Sequence, residues 1–192
     1  MWSYNSSELM HFGIKGMKWG VRRYQNEDGS LTSAGKKKAY KAYVKYAKKQ
    51  ASEKANASYE KESQAKANYE AGLITKNKYD KTVFKETRKR SKLQLDLDNT
   101  LAEAKREYNL SRGKSKFFSD RKYKKAQERN ARAFEDRDIE NIYTVAKNNQ
   151  KVAQALVKSG DIKLSDLNAV NIAIGKEAIE GLAESDNKKR KS

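Results

Sequence analysis

Residues 43–59 read YVKYAKKQASEKANASY. Tyr43, Ala47, Ala51, Ala55 and Tyr59 recur every four positions, with Val44 beside the first of them. That spacing puts one narrow apolar stripe along a helix, because side chains four apart lie above one another. Most residues between them are charged or amide-bearing, so the rest of the circumference predicts a solvated face. A stripe made mostly of alanine lets a second helix approach closely but removes little apolar area from water. This helix, from about 34 to 71, therefore needs a partner.

The partner follows at once. Gly72, within AGLIT (71–75), reads as a helix end, and Thr75 offers a hydroxyl to cap the next start. A second helix over about 76–110 carries Tyr79, Val83, Leu93, Leu97, Leu101, Ala104 and Tyr108 on one stripe. Glu86 and Arg90 interrupt it, so its seam is polar in the middle. Two helices joined by so short a loop form an antiparallel hairpin. SRGKSKFFSD (111–120) is the next break, with Gly113 ending one helix and Ser119 or Asp120 starting another that runs to about 159. The best apolar stripe of that third run is Ile142, Val145, Val152 and Leu156. Ser165 then caps a final helix whose face is Leu164, Leu167, Val170, Ile174, Ala178 and Leu182. The expected fold is all-α, an elongated helical hairpin or bundle behind a short glycine-rich N-terminal element. Its parts are a docking element over 1–35, a basic long-helix region over 36–160, and an apolar-faced helix with a basic tail over 161–192.

Composition agrees. Only 36% of the 192 residues are hydrophobic, so the core should be thin. Proline is absent, as uninterrupted helices require. Cysteine is absent too, which removes disulfides, thiolate metal sites and cysteine nucleophiles. No run of apolar residues is long enough to span a membrane, and the N-terminus shows no apolar leader segment. The net charge is +18, and it is unevenly placed: residues 36–160 carry 33 basic side chains against 16 acidic, whereas 161–192 balance at six and six. A field of that sign attracts polyanions. The closing KKRK (188–191) reads as a solvated tail or a short localisation signal.

Catalytic chemistry has little to stand on. His11 is the only histidine, and a histidine base needs an orienting acid and a nucleophile in reach. Asp96 and Asp98 fall on different helix faces, and the glycines of GIKG and GMKWG lack the spacing of a phosphate loop. No catalytic residue, metal site or cofactor is expected. Nucleic acid fits better, because cations alternate with aromatics in KAYKAYVKY (38–46) and SKFFSDRKYKK (115–125). Lysine and arginine neutralise phosphates while exposed rings stack on bases. The strongest candidates are Lys116, Phe117, Phe118, Arg121, Lys122, Lys124 and Lys125. The competing reading makes the aromatics helix seams; it is favoured for Tyr43 and Tyr59 and evenly balanced for Phe117 and Phe118.

The opening HFGIKGMKWGVRRYQNEDGSLTSAGKKKAY (11–40) stands apart from all this. It resembles a short element of tailed-phage and prophage proteins of Gram-positive bacteria, close to H-x-G-I-K-G-M-K-W-G-V-R-R-Y-Q-N-x-D-G-S-L-T-x-A-G. That element is often found in structural or head-morphogenesis clusters. The match is close over His11, Gly13 to Tyr24, Asp28 to Thr32 and Ala34-Gly35, and it departs at Ala39, where arginine is commoner. Ile14, Met17, Trp19 and Val21 are too few for a core of their own and should dock onto the protein's own helices or onto a partner, with Arg22 and Arg23 available for acids or phosphate. The resemblance implies a non-enzymatic virion- or assembly-associated role in the host cytoplasm or the virion. Expected partners are a phage structural protein or another acidic protein, and DNA or RNA, with oligomer formation left open. A helical nucleic-acid-binding or regulatory protein, or a phage effector that inhibits a host defence enzyme, remains the alternative.

Overall fold

A computed structural model describes residues 23–26 and 28–189, with side chains through 181. The described chain forms five helices: α1 Ser33–Glu70, α2 Lys76–Ser111, α3 Lys116–Asn148, α4 Gln150–Lys158 and α5 Leu164–Lys189. The fold is all-α, and the only extended pairing among the described residues is a single antiparallel bridge between Gln25 and Leu31. The central element is α2, with α1 packed along one side and α3 along the other, while α1 and α3 do not meet. At one end α4 packs on α2 and α3, and α5 lies over α3 and α4.

Local chemistry sets most of the boundaries. The Thr32 hydroxyl accepts from the Gly35 amide at 3.1 Å, and Thr75 does the same for Lys78 at 3.3 Å. Both satisfy amides that the first turn of a helix leaves without partners. After α1 and α2 the chain turns through Gly72 and Gly113, each with φ of 72°, the left-handed conformation that glycine adopts without a steric penalty.

Three boundaries correct the sequence reading; in the last helix, which begins at Leu164, Ser165 stands inside the first turn and not at the cap. The third helix begins at Lys116, not near residue 120, with Ser115 at its cap position and Ser119 buried inside the first turn. It also ends at Asn148, because Asn149 adopts φ −158° and ψ 86°. The Asn149 side-chain amide donates to Asn77 and Asp80 of α2, and its oxygen accepts from the Val152 amide to start α4. A side chain committed to distant partners has thus divided one periodic stretch in two.

The α1–α2 seam has aromatic ends and a polar middle. Tyr40 stacks on Tyr108 with centroids 4.7 Å apart, and Tyr69 stacks on Tyr79 at 5.2 Å. Between them Arg90 pairs with Glu62 at 2.6 Å and donates to Ser58 and Thr87. Ser58, not Tyr59, is the buried residue at this level; Tyr59 stays 58% exposed beneath the Arg90 guanidinium, 4.2 Å from its ring centre. The α2–α3 seam is polar as well, with Asn99 bonded to Asn130, Arg88 to Asp138 and Arg106 to Asp120.

The Arg90 side chain is 15% exposed and Glu62 29%, so their pair lies between surface pairs worth about 0.2–1 kcal/mol and buried ones whose breaking costs about 3–5 kcal/mol. Arg90→Ala is expected to lower stability to urea by about 2 kcal/mol, and Arg90→Lys, which keeps charge but loses the fork, by about half that. A loss below about 0.5 kcal/mol would reduce the network to surface decoration.

Apolar packing is concentrated where α2 begins and α3 ends. Phe84, Ile142, Val145, Ala146, Val152, Ala153, Leu156, Ile162, Leu167 and Val170 form one buried cluster. The third-run stripe of Ile142, Val145, Val152 and Leu156 is all inside it. On α5, Leu167 and Val170 are buried and Ile174 packs against the cluster, but Leu164 is 60% exposed.

Candidate functional site

Two surfaces are candidates for a functional site. The first is the start of α3. Ser119, Tyr123, Ala126 and Asn130 turn toward α2 at three- and four-residue intervals, fully or partly buried. The opposite face must then reach solvent, and Lys116, Phe117, Phe118, Arg121, Lys122, Lys124 and Lys125 are all exposed. Phe117 and Phe118 are 69% and 61% exposed and meet edge to face at 5.6 Å. Because α3 starts earlier than expected, both rings sit in its first turn, not in a loop.

The exposed stripe continues beyond the residues singled out from sequence. Phe118, Arg121, Lys122, Lys125, Arg129 and Arg132 follow helical spacing along one exposed stripe. Arg129 and Arg132 could have been found by continuing the same i+4 and i+3 steps past Lys125. The fourteen steps from Phe118 to Arg132, at 1.5 Å each, make the stripe about 21 Å long. That length matches roughly six phosphates of one nucleic-acid strand at 3.4 Å spacing. Asp120 is removed from the positive face by its bond to Arg106 at 2.5 Å, and this bond raises the Arg106 pKa above its ordinary value. From Lys116 to Arg132 the one exposed acid is then Glu128, and the exposed Asp136, four residues past Arg132, ends the positive stripe.

The second surface is where the N-terminal element joins α1. The described part of the element is a small hairpin. Asp28 accepts from both the amide and hydroxyl of Ser30, which holds its carboxyl below the usual range, and Gly29 turns the chain at φ 79°. The Thr32 hydroxyl donates to the Arg23 carbonyl at 2.8 Å, while its amide donates to Tyr24 at 3.1 Å. Thr32 therefore both starts the helix and fastens the incoming chain to it. Gly35 completes the join, since a Cβ there would stand 2.1 Å from the Tyr24 carbonyl oxygen. The spacing of D-G-S-L-T-x-A-G (28–35) thus has a physical reading, in which turn, cap and close approach each need their residue.

Gly35→Ala should improve α1 by up to about 1 kcal/mol of helix propensity, yet expel residues 23–26 from its first turn. The expected result is unchanged helix content with at least about tenfold faster amide exchange at Thr32. Unchanged protection there would show that the hairpin is not held through this contact.

Beside the hairpin, Leu31, Lys36, Ala39, Tyr40, Tyr43 and Tyr46 of the entry and α1, with Ala104, Tyr108 and Ser111 of α2, line a groove of ≈ 690 Å³ that includes the Tyr40–Tyr108 stack. The lining is mostly alanine, leucine and tyrosine, and Tyr46 is 61% exposed along it. Among the docking residues expected from sequence, Arg23 lies in the hairpin, with its guanidinium 5.6 Å from the Tyr24 ring centre. Ile14, Met17, Trp19, Val21 and Arg22 lie outside the described residues. Among the described residues no group of three His, Cys, Asp or Glu could hold a metal ion, and no helix is long and apolar enough to cross a membrane.

A model of a family of unknown function, DUF7211, matches residues 5–26. That span contains all six docking candidates and the first arm of the hairpin, residues 23–26, and it ends before the Asp28 turn and the Thr32 cap. No curated protein and no solved structure matches the chain.

Proposed function

We propose that this is a non-enzymatic protein associated with the virion of a tailed phage or with its assembly. In this reading the N-terminal element docks on a phage component, and the helical body binds nucleic acid through the start of α3. The observation that carries it is the exposed stripe from Phe118 to Arg132, five cations long and headed by two exposed rings. An acidic protein would use the cations but has no bases to stack on the phenylalanines, so the rings favour nucleic acid. The seam holds no base-reading motif, and binding by such a stripe follows backbone charge with weak sequence preference. The phage setting rests on the resemblance of residues 11–40. Both the host cytoplasm and the virion fit that setting.

The test is recovery of partners from phage-infected cells by the intact protein and by Trp19→Ala, with and without nuclease. Capsid or portal proteins bound by the first and lost by the second, whatever the nuclease, are the expected result. Equal recovery of nuclease-sensitive material by both, with no phage structural protein, would instead support a nucleic-acid-binding regulator without a virion role.

A further inference from the structure

We infer that the groove between α1 and α2 is the seat of the chain's own Trp19-centred segment. The inference rests on reading residues 14–23 as a docking segment and deepens it by naming where that segment binds first. Three observations carry it.

The first is direction. Gln25 bridges Leu31 in antiparallel fashion, so the chain traced backward from Gln25 runs the same way as the chain entering α1. Tyr24 confirms the course: its carbonyl lies against Gly35, and the Lys38 ammonium sits 4.4 Å from its ring centre. Backward from Arg23 the chain is aimed along α1 toward its middle.

The second is register. Gly35, Ala39, Ala42 and Tyr46 follow at four-, three- and four-residue steps, so the face that receives Tyr24 continues into the groove wall. The wall from Lys36 to Tyr46 spans about 15 Å of helix, and four to six extended residues reach about 13–21 Å from Arg23. That reach brings Trp19 and Met17 to the groove without slack.

The third is chemistry. The segment interleaves Ile14, Met17, Trp19 and Val21 with two glycines and the cations Lys15, Lys18, Arg22 and Arg23, and the groove offers alanines, tyrosine faces and Glu107 at one aromatic end of a seam whose middle is polar. A methionine sulfur and an indole ring both pack well on aromatic faces. A tethered segment also acts at an effective concentration in the millimolar range, so modest contacts suffice to fill the site. A partner must then displace the segment, and its apparent affinity falls by the fraction of chains in which Trp19 is released.

Fluorescence of Trp19 tests this on the full chain. In a Trp2→Phe background Trp19 is the only tryptophan. Its emission should lie at shorter wavelength than in the same protein unfolded by guanidinium, and quenching by acrylamide should be at least about twofold weaker, as for a ring favouring its site about tenfold. Ala42→Arg, at an exposed position of the groove wall, should abolish both effects without changing helix content. Emission that already matches the unfolded chain, or that ignores Ala42→Arg, overturns the assignment. Protection that grows with protein concentration makes a second copy the occupant and overturns it too. If Trp19 proves exposed while Trp19→Ala still abolishes phage-partner recovery, the docking reading stands and only the groove assignment fails.

Discussion

Leu156→Ala is expected to lower the stability of this protein by about 3–5 kcal/mol, the range for truncating a fully enclosed leucine whose site cannot collapse. Leu156 is 0% exposed, and it lies in the one buried apolar cluster found among the described residues. Elsewhere the helices meet through two stacked tyrosine pairs, alanine, serine, asparagine and ion pairs, with few large apolar side chains enclosed. Domains of this size are stable by about 5–15 kcal/mol, so one leucine controls a large share. Leu73→Ala is the control: at 74% exposure its loss should stay within about 0.5 kcal/mol. A comparable loss at both positions would mean that stability is spread along the helices and not held at the α3–α4–α5 end.

Replacing Phe117 and Phe118 together with alanine should weaken binding to single-stranded DNA by about 30-fold, close to 2 kcal/mol, because stacking on an aromatic ring is worth about 1–3 kcal/mol per base. The melting temperature should not move, since the rings are 69% and 61% exposed and contact mainly each other. The salt dependence of binding should also hold, because no cation has been removed. A fall in melting temperature with unchanged binding would return the pair to a packing role.

What was legible in the sequence was what the backbone decides locally. Thr75 could be read as a cap, and Gly72 and Gly113 as helix ends, because a hydroxyl beside free amides and a residue at positive φ need no distant partner. The features that escaped were decided across the fold. Asn149 divides the third run because Asn77 and Asp80, some 70 residues earlier, hold its amide. Phe84 is absent from the expected stripe of α2 yet is 4% exposed, because a central helix is covered on two sides while a single stripe describes only one. The alternation of Leu93, Leu95 and Leu97 has the same cause: all three are half-buried on a helix with neighbours to either side. Tyr59 fits the four-residue stripe on paper, but the Arg90 network takes the seam position for Ser58. For the candidate interface, the sequence pointed to the first turns of α3, and only the exposure pattern extended the stripe to Arg129 and Arg132.

The central claim is that the start of α3 neutralises phosphates, and the salt dependence of binding tests it most directly. The logarithm of the binding constant for a DNA oligonucleotide is measured against the logarithm of salt concentration, for the intact protein and for Lys122→Glu, Lys124→Glu and Lys125→Glu combined. Each phosphate contact contributes about 0.9 to the slope, so the combined variant should flatten it by about 3. A slope unchanged by the three substitutions would take this surface out of the binding reaction.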